Sequence, residues 1–154
     1  MTEQLKFSMQ TVFQLHKIEK ECFGKDAWTV HNLIAEFNNS FSQLFGEVVD
    51  GVVVGYACVR ILCEEAQVCN IAVLPEYRRQ GIATRLLQTV AEFATIQNCE
   101  KCELEVNVSN IPTIELYKKC GYEIVGTRPN FYRRTKRYTS RDAYTMVKQL
   151  KSTE

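Results

Sequence analysis

The chain has 154 residues, 45% hydrophobic and 24% charged, an ordinary globular composition that excludes intrinsic disorder and suits one domain with a single core over residues 1–154. The net charge of +1 does not imply nucleic-acid binding by the whole molecule, but the charge is uneven. Arg128, Arg133, Arg134, Lys136, Arg137 and Arg141 fall within fourteen residues that hold no acid, leaving thirteen basic against eighteen acidic residues elsewhere. Segment 128–141 is therefore the one place that could steer an anionic partner such as RNA or an acidic peptide, unless it is simply a solvated hairpin. No apolar run reaches the roughly 18 residues of a membrane span, and MTEQLKFSMQ carries no apolar stretch of the signal-peptide kind. The seven cysteines follow no disulfide framework, so reduced thiols and a cytoplasmic location are expected.

In chain order, a short strand is predicted near Leu5–Ser8. A helix follows through Val12, Leu15, Ile18, Glu19 and Cys22, then a second over Thr29–Phe37, joined by residues Phe23–Trp28. Gln43–Val49 and Val52–Leu62 are rich in β-branched and apolar types, and Asp50-Gly51 between them predicts a two-residue hairpin. A third strand is predicted over Gln67–Leu74, stopped by Pro75, whose ring removes a ladder donor. From Gly81 the spacing of Ile82, Leu86, Leu87, Val90, Phe93 and Ala94 is helical. Lys101–Val108 alternates, with Cys102, Leu104, Val106 and Val108 on one face and Lys101, Glu103, Glu105 and Asn107 on the solvated one. A helix capped by Ser109 or Asn110 and ended by Gly121 follows, then strands near Tyr122–Arg128 and Ala143–Leu150.

The turn Val73-Leu-Pro-Glu-Tyr-Arg-Arg-Gln-Gly-Ile-Ala-Thr-Arg85 joins a strand end to a helix start with little side-chain bulk at Gly81 and Ala83. The first N–H groups of a helix lack internal acceptors and carry the positive end of its dipole, so a diphosphate could dock there. By itself the Arg-x-x-Gly-x-Ala pattern also fits a plain turn with exposed arginines. Cys99-x-x-Cys102 has no second pair and no nearby histidine, so structural thiols are expected; His16 and His31 join no triad or metal motif, and no metal is expected. Phe23 and Trp28 read as core or loop packing, and Cys120 as a helix-end residue.

Together, Asn70-Ile-Ala-Val-Leu-Pro, Glu76-Tyr-Arg-Arg-Gln-Gly-Ile-Ala and Leu86-Leu87 resemble the acetyl-CoA motif of the GNAT acetyltransferases. Leu104-Glu-Val-Asn-Val-Ser-Asn110, Leu116-Tyr117, Gly121-Tyr122, Arg128-Pro-Asn-Phe-Tyr132 and Asp142-Ala-Tyr-Thr-Met146, with Ile18-Glu-Lys-Glu-Cys-Phe23 and Trp28, are similar to the RimI-type ribosomal-protein alanine N-acetyltransferases. The resemblance spans nearly the whole chain. It implies an α/β (α+β) GNAT fold, a mixed, mostly antiparallel sheet with about four helices, splayed where acetyl-CoA enters. It further implies that Arg79, Gln80, Gly81, Ile82, Ala83 and Thr84 cradle the pyrophosphate, that Ile71, Ala72 and Val73 offer strand-edge hydrogen bonds to the pantetheine arm, and that Asn110 helps hold the cofactor.

The same resemblance implies Glu105 as the base and Tyr117 as the acid. Both roles suit the chemistry, because an α-amine is mostly ammonium at pH 7 and must lose a proton to attack, while the departing thiolate gains from a phenol donor. Glu103, two residues from Glu105 on the same face, competes for the base role. Tyr132, Arg133 and Arg134 are implied substrate contacts, and a free protein or peptide N-terminus, with an alanine-starting ribosomal protein favoured, the implied acceptor. Asn107 stands where many relatives have arginine, and Arg133 and Arg141 replace a proline and an acid, departures that leave the acceptor pocket open. A small amine, polyamine or lysine acceptor, or a non-catalytic coenzyme-binding or RNA-binding module, are the alternatives.

Overall fold

In the computed structural model, which describes residues 1–132 and 140–151, the hairpin over Asp50-Gly51 organises the first half of the chain. Asp50 (φ 51°) and Gly51 (φ 79°) both adopt left-handed backbone, the geometry whose twist matches the strands it joins. Those strands are β2 (Ser42–Val49) and β3 (Val52–Leu62), the latter with the predicted bounds. The first strand lies earlier than predicted: β1 is Thr2–Gln4, paired antiparallel with β2, and Leu5–Ser8 is not a strand. Leu5 makes the last bond to β2, its N–H donating to the Leu44 carbonyl at 2.9 Å, and its side chain packs against Gly46, where a Cβ would stand 2.8 Å from a Leu5 methyl. Ser8 is taken as a helix cap, its Oγ accepting from the Thr11 N–H at 3.0 Å, which a strand would leave without that partner.

Helix α1 (Met9–Phe23) buries Val12, Leu15, Ile18, Glu19 and Cys22, the predicted stripe. Helix α2 (Val30–Phe37) opens on a reciprocal cap between Thr29 and Asn32. Helix α3 (Ile82–Ile96) lies on the opposite face of the sheet: Tyr56 of β3 meets Glu19 of α1, while its neighbour Gly55 approaches Ile82 of α3. A Cβ on Gly55 would stand 3.2 Å from Ile82 Cγ2 and from the Ala72 carbonyl, so β3, β4 and the start of α3 close tightly there.

Strand β4 is Glu65–Val73, and β5 is Lys101–Asn107. They run parallel, but their pairing covers only Glu65–Gln67 against Lys101–Glu103. Beyond Gln67, β4 keeps β3 as a neighbour and β5 keeps β7 (Ala143–Gln149), so the sheet splits into two wings. Helix α4 (Ile111–Lys119) is ended by Gly121 at φ 96°, and β6 (Glu123–Arg128) forms the outer edge beside β7. The order is β1-β2-β3-β4-β5-β7-β6, a seven-stranded, mostly antiparallel sheet with four α-helices among the described residues. No helix among them is long and apolar enough to cross a membrane.

One face assignment changes. Asn107 belongs by alternation to the solvated side of β5 but is buried. Its Nδ2 donates to the Ser140 carbonyl at 2.8 Å and its Oδ1 accepts from the Ser109 N–H and hydroxyl, so it braces the turn before α4 against the chain entering β7. Asn110 occupies the N-cap of α4, but its side chain makes no capping hydrogen bond.

Candidate active site at the split of the sheet

Register decides which groups face the split. The Leu74 N–H donates to the Val54 carbonyl, so by antiparallel alternation Leu74 and Ala72 direct their main-chain groups to β3, and Ile71 and Val73 direct theirs to the opening. Within the opening, the Val73 carbonyl accepts from Arg78 Nε at 3.1 Å and from the Cys22 thiol at 3.3 Å, while the Ile71 N–H donates to Asn70 Oδ1 at 3.1 Å. Arg78 thereby ties the strand end to the turn that follows, a role the sequence does not announce.

That turn enters α3 through left-handed backbone. Arg79 (φ 63°) and Gly81 (φ 77°, ψ 12°) are both left-handed, and Gly81 is the N-cap of α3 with no side-chain cap. Arg79, Gln80, Gly81 and Thr84 are exposed, Ala83 is half-buried, and Ile82 is buried as the anchor under the turn. The opening N–H groups of α3 have no acceptor within the helix, so they remain for a ligand or water. Behind them, Arg85 donates to the Gln80 carbonyl at 3.1 Å and pairs with the buried Glu47 at 2.6 Å, holding the helix start against β2. Burial pushes the Glu47 carboxyl up, but bonds from Thr2 and Arg85 outweigh it and hold the group below the usual carboxylate range.

Across the split, Glu105 sits on β5 just past the last residue paired with β4. Its Oε2 accepts from Thr145 Oγ1 at 2.7 Å, and its Oε1 lies 3.2 Å from Arg128 Nη1. Thr145 is the β7 residue opposite Glu105 in register. Glu103 stands opposite Val147, so no hydroxyl faces it there. Arg128 also lies over the Phe131 ring, 4.8 Å from its centroid. Tyr117, on the helix after β5, is buried with its ring 6.0 Å from that of Tyr122. Tyr132 exchanges main-chain and side-chain hydrogen bonds with Arg141. Arg133 and Arg134, with Lys136 and Arg137, lie outside the described residues.

Sequence reasoning also missed the buried network under the β4 wing. Glu19 is fully buried and accepts from Tyr56 Oη, Asn70 Nδ2 and the Trp28 N–H, the last at 2.9 Å. His16 Nδ1 lies 3.2 Å from the Trp28 carbonyl. Both groups of Trp28 are thus held from α1, so the loop between the first two helices is fixed to the strand that borders the split. Burial raises the Glu19 carboxyl above its ordinary range, the three hydrogen bonds opposing it only in part. A glutamate in mid-helix gives no sequence signal for this, because its partners come from elements distant in the chain.

A sheet split beside a left-handed turn into a helix start, with a held carboxylate on the facing wing, is the arrangement of an acyl-group transferase of a known kind. Residues 12–122 match the Acetyltransferase (GNAT) family, and the chain belongs to it. It is an N-acetyltransferase. Among curated relatives, a Bacillus subtilis (strain 168) protein provisionally named ribosomal protein bS18-alanine N-acetyltransferase is 32% identical over 125 residues, covering 80% of this chain and 82% of that one. The N-alpha-acetyltransferase of Sulfurisphaera tokodaii is 40% identical over 122 residues, covering 71% and 70%. The crystal structure of the ribosomal-protein-S18-alanine N-acetyltransferase from Escherichia coli superimposes with a TM-score of 0.85 at 24% identity, over 100% of this chain and 97% of that one, and shares the fold.

Proposed function

We propose that this protein transfers the acetyl group of acetyl-CoA to the N-terminal α-amine of a protein, with an alanine-starting ribosomal protein as the favoured acceptor. The observation that carries the reading is the held carboxylate: Glu105 lies beyond the part of β5 that pairs with β4, kept by Thr145 and Arg128 on the wing that faces the Ile71 and Val73 edge. The provisional bS18-alanine name of the Bacillus subtilis relative and the N-alpha-acetyltransferase name of the Sulfurisphaera tokodaii one support an α-amine acceptor.

The residues present fit the co-substrate. Left-handed Arg79 and Gly81 turn the chain sharply into α3, Gly81 and Ala83 leave room for close approach, and the N–H groups there answer a pyrophosphate. Ile71 and Val73 present the strand edge along which a pantetheine arm would lie, and Asn110 stands at the start of α4. Bound acetyl-CoA supplies a thioester carbonyl open to attack. Glu105 accepts the proton that the α-ammonium must lose, since each carboxylate oxygen keeps a lone pair beyond the bonds from Thr145 and Arg128. Tyr117 Oη returns a proton to the leaving thiolate, and no covalent intermediate on the enzyme is involved. Tyr132 and the basic segment carrying Arg133 and Arg134 contact the acceptor.

The test is mass spectrometry of the purified protein with acetyl-CoA and two peptides, one starting with free alanine and one N-blocked but carrying lysine. Acetyl gained by the free-amine peptide alone is expected. Labelling of the lysine peptide alone, or of polyamines when neither peptide reacts, would overturn the α-amine reading.

A further inference from the structure

Cys58 and Cys69 carry chemistry that acetyl transfer does not use. The register of β3 against β4 passes from Cys58↔Asn70 to Val59↔Val68, so Cys69 is the extra residue of a bulge. Asn70 points to the α1 side, where its Nδ2 reaches Glu19, and Cys58 points to the same side, where its thiol donates to Glu36 Oε2 at 3.5 Å. The bulge brings Cys69 onto that side as well. Its thiol interacts with those of Cys58 and with the Arg60 guanidinium. Arg60 is held there by its ion pair with Glu36, and Ser42 Oγ donates to the same carboxylate at 2.6 Å. Cys69 is half-buried and reachable, whereas Cys58 is fully buried.

We propose that Cys58 and Cys69 form an oxidation site that hydrogen peroxide converts to a disulfide, and that this closure slows acetyl transfer. The division of labour follows from position. The Cys58 thiol beside it, with the Arg60 guanidinium, holds the Cys69 thiol below its ordinary range, so it carries thiolate character at the accessible position. The Cys69 thiolate attacks one peroxide oxygen; the O–O bond breaks, the hydroxide that leaves takes up the proton Cys69 gave up on ionising and becomes water, and Cys69 becomes a sulfenic acid. The Cys58 sulfur then attacks the Cys69 sulfur, the S–O bond breaks, and the hydroxyl departs with the Cys58 proton as water. In sum two thiols are oxidised and one peroxide is reduced to two waters. The bulge sets Cys69 between the partners of Cys58 and Val59, on the side where the two thiols interact.

Closure acts on the opening because Cys69 stands two residues before Ile71 on the same strand. It removes the Cys58 bond to Glu36 and pins the bulge to β3, shifting the edge that Ile71 and Val73 present. The link to catalysis rests on the proposed reading of that edge; the formation of the bond does not.

The full chain is treated with hydrogen peroxide, alkylated under denaturing conditions, and cleaved after Arg60 and after Glu64 and Glu65, which separates Cys58, Cys63 and Cys69 onto different peptides. Titratable thiols are expected to fall from seven to five, with the Cys58 and Cys69 peptides joined and separated again by dithiothreitol. Acetylation of an amine-bearing peptide falls in parallel and recovers on reduction. Cys58→Ala retains basal activity, forms no link, and keeps its transfer rate after peroxide at the dose that slows the parent. A link from Cys69 to Cys63, or an intact Cys58 thiol after Cys69 has been oxidised, would overturn the site. A Cys58–Cys69 link with undiminished transfer would overturn its control of catalysis.

Discussion

Arg128 Nη1 lies 3.2 Å from Glu105 Oε1, joining the end of the edge strand β6 to the carboxylate on β5 across the intervening β7. Together with the 2.7 Å bond from Thr145, it leaves each Glu105 oxygen one protein partner and fixes the plane of the carboxylate. As Arg128 also stacks on Phe131, the chain entering the basic segment and the proposed base are mechanically linked.

Replacing Glu105 by Gln keeps the volume and can still accept from Thr145, but takes up no proton. Turnover should fall by about 10²–10⁴-fold while the dissociation constant for acetyl-CoA, read by calorimetry, stays near that of the parent. Unchanged turnover at saturating substrate would transfer the base role to Glu103.

Thr145→Val removes one bond to the carboxylate without opening a cavity. A turnover loss of about tenfold is expected from the unfixed Glu105, with acetyl-CoA affinity retained. Steady-state kinetics with an alanine-starting peptide measures it, and an equal loss of coenzyme binding would mean that Thr145 acts on the fold instead.

Tyr117→Phe keeps the ring against Tyr122 and deletes only the hydroxyl. Turnover should drop while thermal stability changes by about 1 kcal/mol or less. A turnover equal to the parent would remove Tyr117 from the reaction.

Gly81→Ala tests the turn. The added Cβ would stand 3.4 Å from Arg85 Nη1, the end of a flexible side chain, so crowding is minor and the cost is the left-handed φ of 77°. That strain is about 1–2 kcal/mol, met either as lost stability or as a reshaped turn with weaker coenzyme binding. Denaturant titration beside acetyl-CoA calorimetry separates the two; loss of neither would show the turn to be freely adjustable.

Glu19 offers a pH prediction. Its folded-state pKa is raised by burial, so folding favours the protonated form: its contribution is fully present below the ordinary glutamate range and is lost as pH climbs through the raised value. Relative to Glu19→Gln, the parent should therefore be more stable near about pH 5 than near about pH 8. Urea midpoints for both proteins at the two pH values check it, and a difference that does not move with pH would refute it.

Local signals carried much of this architecture. The Asp50-Gly51 hairpin, the apolar stripes of α1 and α3, and the alternation through Cys102, Leu104 and Val106 depend on neighbours within a few residues, and all appear in the structure. The first strand was misjudged because Leu5 and Phe7 look extended, whereas Ser8 gains more from capping α1 than from a ladder. Asn107 was misjudged because alternation says nothing about what lies beyond the strand end, where Ser140 closes over it. The family motifs singled out Glu105, Tyr117 and the residues around Gly81, but not what holds them.

By itself, then, the sequence determined the elements, the glycine-bearing turns and the residue types of the site, since each follows from period, backbone freedom or a short motif. Only the tertiary structure decided that β4 and β5 part after Gln67, that Thr145 and Arg128 hold Glu105, that Glu19 secures Trp28, and that a bulge sets Cys69 beside Cys58. These are pairings across tens of residues, set by strand register, and a shift of one residue in register would exchange the two faces of a strand.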